Sequence, residues 1–251
     1  MGSEMCIRDR HRLYIKISYF QEGLHEKENR QNLLVVSCND FLSKKRPVLE
    51  SSCLTAWDFK MTKVAVWCRH EGDNIIGIGP NIPWHVKSDF KRFRRITEEQ
   101  NLVAGQTTYE SFPNRTLPNR NIYVLTFDAG YEVSDPEHHF VVTDVNDFKD
   151  FDGDLYISGG ASVYKLFMTG SAKLMPDIVV DCMYRGEVNS ALEGAKIDIS
   201  PCIEVLHKSY RQISVDYELD NILTTVWVRK GEFVEQSVLK RIIEAIEKED
   251  E

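Results

Sequence analysis

The sequence predicts an α/β protein with a mixed, mostly parallel central sheet flanked by helices and an antiparallel C-terminal edge strand. Three observations carry that expectation. Short apolar runs alternate with helical segments from Met61 to Gly170, the pattern of parallel strands joined by crossover helices. Two of these runs, "NLVAG" and "DLYISGG", end in glycine and open straight into a helix. A late pair of β-rich stretches, "IEVLHKSYRQI" and "LTTVWVRKG", flanks the polar "SVDYELDN" and supplies the antiparallel edge.

Taken in order, "KVAVWC" reads as a short buried strand, followed by glycine-rich turns in "EGDNIIGIGPN". A helix is expected from Asp89 to about Thr97, with the Ser88 hydroxyl as its N-cap. "NLVAG" is the second strand, "QTTYESF" a short helix, "NRNIYVLTF" the third strand and "HFVVT" the fourth. "VNDFKDF" reads as a helix, "DLYISGG" as the fifth strand, "ASVYKLFMTG" as a helix stopped by Gly170, and "DIVVDCMY" as a further strand. Val234, Val238, Ile242 and Ile246 recur every four residues and form one stripe of an amphipathic helix over 232–251. It is expected to dock on its own domain, with a second subunit as the alternative. Residues 1–60 sustain no such alternation, and "MGSEMCIRDR" reads as translated adaptor sequence. They are expected to be a poorly ordered extension of a catalytic domain over 61–231, with a docking segment as the alternative.

The net charge of −8 is unevenly spread: residues 1–60 hold 10 Lys/Arg against 8 Asp/Glu, and residues 61–251 hold 21 against 31. An acidic body argues against a nucleic-acid footprint. No apolar run approaches the ~20 residues that cross a bilayer. The six cysteines show no CxxC pair and no His partner at ligand spacing, so free thiols in a reducing cytoplasm are expected and no metal site.

Four stretches point to chemistry. In "YISGGASVY", Gly159 and Gly160 open a helix whose first N–H groups can meet an anion such as a pyrophosphate, although tight geometry alone also explains the glycines. "VAGQTTYESFP" repeats the arrangement, and two such turns in one parallel sheet can grip both ends of a long cofactor. In "NIPWHVKSDFKRF", Asp89 can simply favour the positive end of a helix. Its neighbours Ile82, Pro83, Trp84, Phe90 and Phe93 also make an apolar setting from which one carboxylate can pair with an amidine-like heterocycle. In "PNRTLPNRNIYVLT", Arg115 and Arg120 offer planar forks suited to a carboxylate.

These pieces, in this order, resemble dihydrofolate reductase over about residues 62–230, and "YRGEVNS" resembles its divergent, phage-type members. The resemblance implies hydride transfer from NADPH to C6 of 7,8-dihydrofolate with protonation at N5. It makes Asp89 the carboxylate facing the pterin, Trp84 the holder of an ordered water and Ile82 part of a loop closing over nicotinamide. Phe90, Phe93, Phe112 and Leu117 would line the substrate site, and Arg120, with Arg115 nearby, would clamp the glutamate tail. Ile76, Gly77, Gly105, Gln106, Thr107, Thr108, Thr126, Gly159, Gly160, Ala161, Ser162, Val163 and Tyr164 would hold the cofactor. Gln106 and Thr107 stand where members carry basic residues, and Val180 where a hydroxyl meets the carboxylate. A cytoplasmic monomer is implied, with a dimer through the last helix as the alternative. The rival readings are a riboflavin-pathway reductase of the same fold and a phage structural protein that keeps it.

Overall fold

The computed structural model of the chain describes residues 61–248, the side chains of 214–216 aside. The expected extension over 1–60 lies outside the described residues.

The first strand, β1 (Lys63–His70), alternates its side chains between two apolar layers, and β2 (Ile75–Ile78) follows a tight turn. Helix α1 (Lys87–Thr97) leads to β3 (Asn101–Gly105), which runs without a loop into α2 (Gln106–Ser111). After β4 (Asn121–Leu125), β5 (His139–Val142) and β6 (Leu155–Ile157) comes α3 (Ala161–Met168). The remaining elements are β7 (Ile178–Tyr184), β8 (Lys196–Asp198), α4 (Ser200–Ser209), β9 (Tyr210–Leu219), β10 (Ile222–Arg229) and α5 (Gln236–Glu247).

Eight strands form one sheet in the order β5-β4-β3-β6-β1-β7-β10-β9, parallel from β5 through β7 and antiparallel across β10 and β9. The fold class expected from the alternation is therefore present. Strand alternation splits the core. Val64, Val66, Ile178 and Val180 pack beneath α1 and α5, while Ala65, Trp67, Val179 and Ile157 pack beneath α3 and α4. The stripe of α5 docks on its own domain, with Val238, Ile242 and Ile246 buried and the Arg95 Nε donating to the Ala245 carbonyl at 3.0 Å.

Several expectations need correction. Ser88 is not the N-cap of α1: Val86 occupies that position and Ser88 lies in the first turn, its buried hydroxyl lacking a partner among the described residues. "VNDFKDF" makes only a 3-10 turn over Val145–Phe148, capped by the Asp144 carboxylate accepting from the Asn146 N–H. "IEVLHKS" is not strand but most of α4, because Cys202, Ile203 and Leu206 share one helical face that is buried against the sheet. "SVDYEL" is strand rather than loop, since β9 continues through it to a turn at Asp220 and Asn221. The small pairing of β2 with β8 has no counterpart in the sequence reading.

Candidate active site

The carboxyl ends of β1, β3, β4 and β6 open into one cavity of about 1150 Å³, the position where open parallel sheets bind ligands. At one end α1 presents Asp89. Its place in the first turn follows from the chain entering the helix at Val86, just after the buried Pro83 and Trp84. The carboxylate is 18% exposed. Burial pushes its pKa above the ordinary carboxylate value, against the opposing pull of the Arg92 cation and of a hydrogen bond from the Cys68 thiol.

Cys68 and Cys182 are register partners on β1 and β7, and both line this end of the cavity. Burial raises both thiols, Cys68 well above its usual value with the Asp89 charge adding to the effect, and Cys182 to about 12. Val180 is fully buried in the core, so the β7 side chain beside the carboxylate is Cys182 and the residue expected at Val180 is corrected accordingly. Arg92, which the sequence did not single out, is 1% exposed with Nη1 3.9 Å from Asp89 Oδ1. Nothing local in the sequence distinguishes it from the exposed Lys91 and Arg94.

The other end is built by the two glycine turns. The Gly105 N–H donates to the Gly159 carbonyl at 2.7 Å, which holds the turns side by side. A Cβ on Gly105 would sit 3.0 Å from Val163 Cγ2, and one on Gly160 would sit 3.1 Å from Thr108 Oγ1. Gly159 has φ +107° and a Cβ there would meet the Tyr164 ring at 3.0 Å, so only glycine fits without strain. Ser158 closes the turn by donating from its hydroxyl to the Val103 carbonyl at 2.9 Å. Gln106 accepts from the Thr126 hydroxyl at 2.7 Å and donates to Glu110 at 3.1 Å.

The cavity gathers Ile76, Gly77, Ile82, Asp89, Phe90, Phe93, Gly105, Gln106, Thr107, Thr108, Phe112, Leu117, Arg120, Thr126, Gly160, Ala161, Ser162, Val163 and Tyr164. Three expected residues lie off its wall. Trp84 is buried below it, stacked on Tyr184 at 5.0 Å, with Nε1 unpartnered among the described residues. Arg115 sits exposed on the 3-10 turn Pro113–Arg115, and Gly159 lies behind Gly160. Ile82 and Phe90 are exposed at the mouth. Tyr164 is anchored, its hydroxyl donating to the Val66 carbonyl at 2.6 Å.

Arg120 has a double role available to it. Its Nε donates to Thr97 Oγ1, Nη1 to the Pro118 carbonyl and Nη2 to the Arg94 carbonyl, so it covers the negative end of α1. Those bonds use three of the five N–H groups of a guanidinium. The cations lining the cavity are Arg92, Arg94 and Arg120, all toward the α1 end, while Asp128 and Asp144 lie at the mouth near Gln106 and Thr126. The sequence reading did not single out Cys68, Cys182, Arg92, Asp128 or Asp144.

A sequence model of the family described as dihydrofolate reductase matches residues 63–191. Dihydrofolate reductase of Mycoplasma pneumoniae is 27% identical over 161 residues, covering 61% of this chain and 94% of that protein. Dihydrofolate reductase type A13 of Escherichia coli is 38% identical over 95 residues, 38% of this chain and 57% of that protein. Among solved structures, dihydrofolate reductase from Enterococcus faecalis complexed with NADP(H) and RAB-propyl superposes with a TM-score of 0.53 at 23% identity. It covers 67% of this chain and 96% of that one.

Proposed function

The chain belongs to the dihydrofolate reductase family, and from that premise we propose that it reduces 7,8-dihydrofolate to 5,6,7,8-tetrahydrofolate with NADPH. The observation that carries this reading is the sharing of one cavity by the Asp89 carboxylate and the two glycine turns.

The glycine end fits a dinucleotide: Gly105, Gly160 and the first residues of α3 line the cavity, side chains at the two glycines would press on Val163 and Thr108, and the bare turn before a helix start suits an anion. When bound, NADPH supplies a hydride to C6 of the pterin. Asp89 accepts hydrogen bonds from the 2-amino and N3 groups of the ring, and its negative charge favours the proton that N5 takes from solvent. Phe93, Phe112 and Leu117 give the ring and its aminobenzoyl tail an apolar slot. Ile82, exposed at the mouth, covers the reacting face and limits water. The two remaining N–H groups of Arg120 receive the α-carboxylate of the glutamate tail. Uncharged Gln106, Thr107 and Thr126 surround the adenosine end, so the 2′-phosphate is held by hydrogen bonds rather than by an arginine fork. We further propose that residues 61–231 form the catalytic domain, with α5 as its C-terminal brace.

The test is an absorbance assay of purified protein with NADPH and NADH side by side. Oxidation is expected only when dihydrofolate is present, and Asp89→Asn is expected to lower turnover at neutral pH by about 10²-fold or more. Unchanged turnover in that variant would remove Asp89 from the mechanism.

A further inference from the structure

Asp89 does not stand alone on the floor of the cleft. Arg92 lines the same cavity and carries a cation 3.9 Å from the carboxylate. Its guanidinium lies over the ring of Tyr217 on β9, with Cζ 5.7 Å from the centroid. Neither Nε nor Nη1 has a hydrogen-bond partner among the described residues. Burying a guanidinium with idle donors is costly, because the group keeps its charge while giving up water. The other groups around the carboxylate bring no compensating charge: Cys68 on β1 and Cys182 on β7 are thiols that burial keeps protonated, and the Tyr164 hydroxyl on α3 is committed to a backbone carbonyl. Among the described residues, the acid that pairs with Arg92 is Asp89.

We propose that Arg92 is a specificity-determining residue, whose cation beside Asp89 offsets part of the carboxylate's pull on a charged ring and so narrows the preference for a cationic over a neutral heterocycle. The inference rests on the folate reading of this cleft. An isolated carboxylate attracts a protonated ring both by charge and by hydrogen bonding. With a fixed cation a few ångströms away, part of that charge attraction is offset, so the net pull on a charged ring is smaller though still attractive. The N–H···O bonds of a neutral ring survive unchanged. At an effective dielectric of about 20, one added unit charge at this range changes affinity on the order of tenfold or more.

Methotrexate and 10-methylfolate provide the comparison, since they differ only in a 4-amino group, which makes the ring basic, against a 4-oxo group, which leaves it neutral. Both would be titrated into the full chain with NADPH present, following tryptophan fluorescence, for the native protein, Arg92→Met and Arg92→Lys. The expected result is that Arg92→Met raises the preference for methotrexate on the order of tenfold at mildly acidic pH, where the 4-amino ring is protonated and the 4-oxo ring neutral, while Arg92→Lys stays near the native ratio. The gain should shrink as pH rises and the 4-amino ring loses its proton. An Arg92→Met protein that binds 10-methylfolate with an unchanged ratio would overturn the proposal. If that variant does not fold, the native protein decides: its ratio should rise only shallowly on acidification, and a steep rise in methotrexate preference would mean that the carboxylate acts alone. Native protein that binds neither ligand would refute the folate reading and this inference together; binding of both with no effect of Arg92 would refute the inference only.

Discussion

Asp89 is pulled in two directions, upward by burial and downward by Arg92 and the Cys68 thiol, and burial is the larger effect. The sign of its stability contribution follows. A carboxyl whose native pKa is raised binds its proton more tightly in the folded state, so its contribution is greatest below the unfolded value of about 3.9 and is lost as pH rises through the native value. An asparagine in its place does not titrate. The unfolding free energy of the native protein, relative to Asp89→Asn, is therefore expected to fall as pH rises from about 4. Urea denaturation of the two proteins across that range measures the slope, and a slope of opposite sign would mean that Arg92 outweighs burial. The carboxylate itself was legible in the sequence as one acid amid large apolar side chains. Its cationic neighbour was not, because Lys91, Arg92 and Arg94 look alike in sequence until β9 covers one of them.

Among the elements, α5 illustrates how a surface stripe becomes part of the core. Its four-residue spacing was readable, and docking against α1 and β9 buries Ile242 completely. Ile242→Ala is expected to cost about 2–5 kcal/mol, the range for truncating a buried aliphatic side chain. Denaturant unfolding checks this. A cost near zero would show that α5 frays away in solution. α1 depends on that packing in a second way, since Arg95 reaches the last turn of α5 while Arg120 covers its own carboxyl end. α4 was misread as strand for an equally physical reason. "IEVLHKS" carries β-branched residues at strand-like positions, and its helical face shows only when α3 and the sheet bury Cys202, Ile203 and Leu206.

For the whole molecule, the described residues from Lys63 to Glu247 form one eight-stranded sheet with an apolar core on each face. A chain carrying only residues 61–248 is therefore expected to unfold in one cooperative transition and to keep its turnover. Calorimetry and the dihydrofolate assay on that fragment test the expectation, and loss of either property would mean that the first sixty residues take part in the fold or the site. No helix among the described residues is long and apolar enough to cross a membrane. The eight-stranded sheet places all parallel carboxyl ends on one edge, which is why segments as distant in sequence as Asp89 and Gly160 share a cavity.

The parallel strands, the helices α1, α2, α3 and α5, the two glycine turns and the acid at the start of α1 were legible in the sequence itself, because each rests on local chemistry: apolar periodicity, backbone freedom and charge near a helix end. Tertiary structure alone decided that Cys182 rather than Val180 flanks the carboxylate, that Trp84 lies beneath the cleft and that Arg92 is buried beside Asp89. Those outcomes depend on the register of β1 against β7 and on what β9 and α5 cover, and such contacts join segments that no local pattern connects.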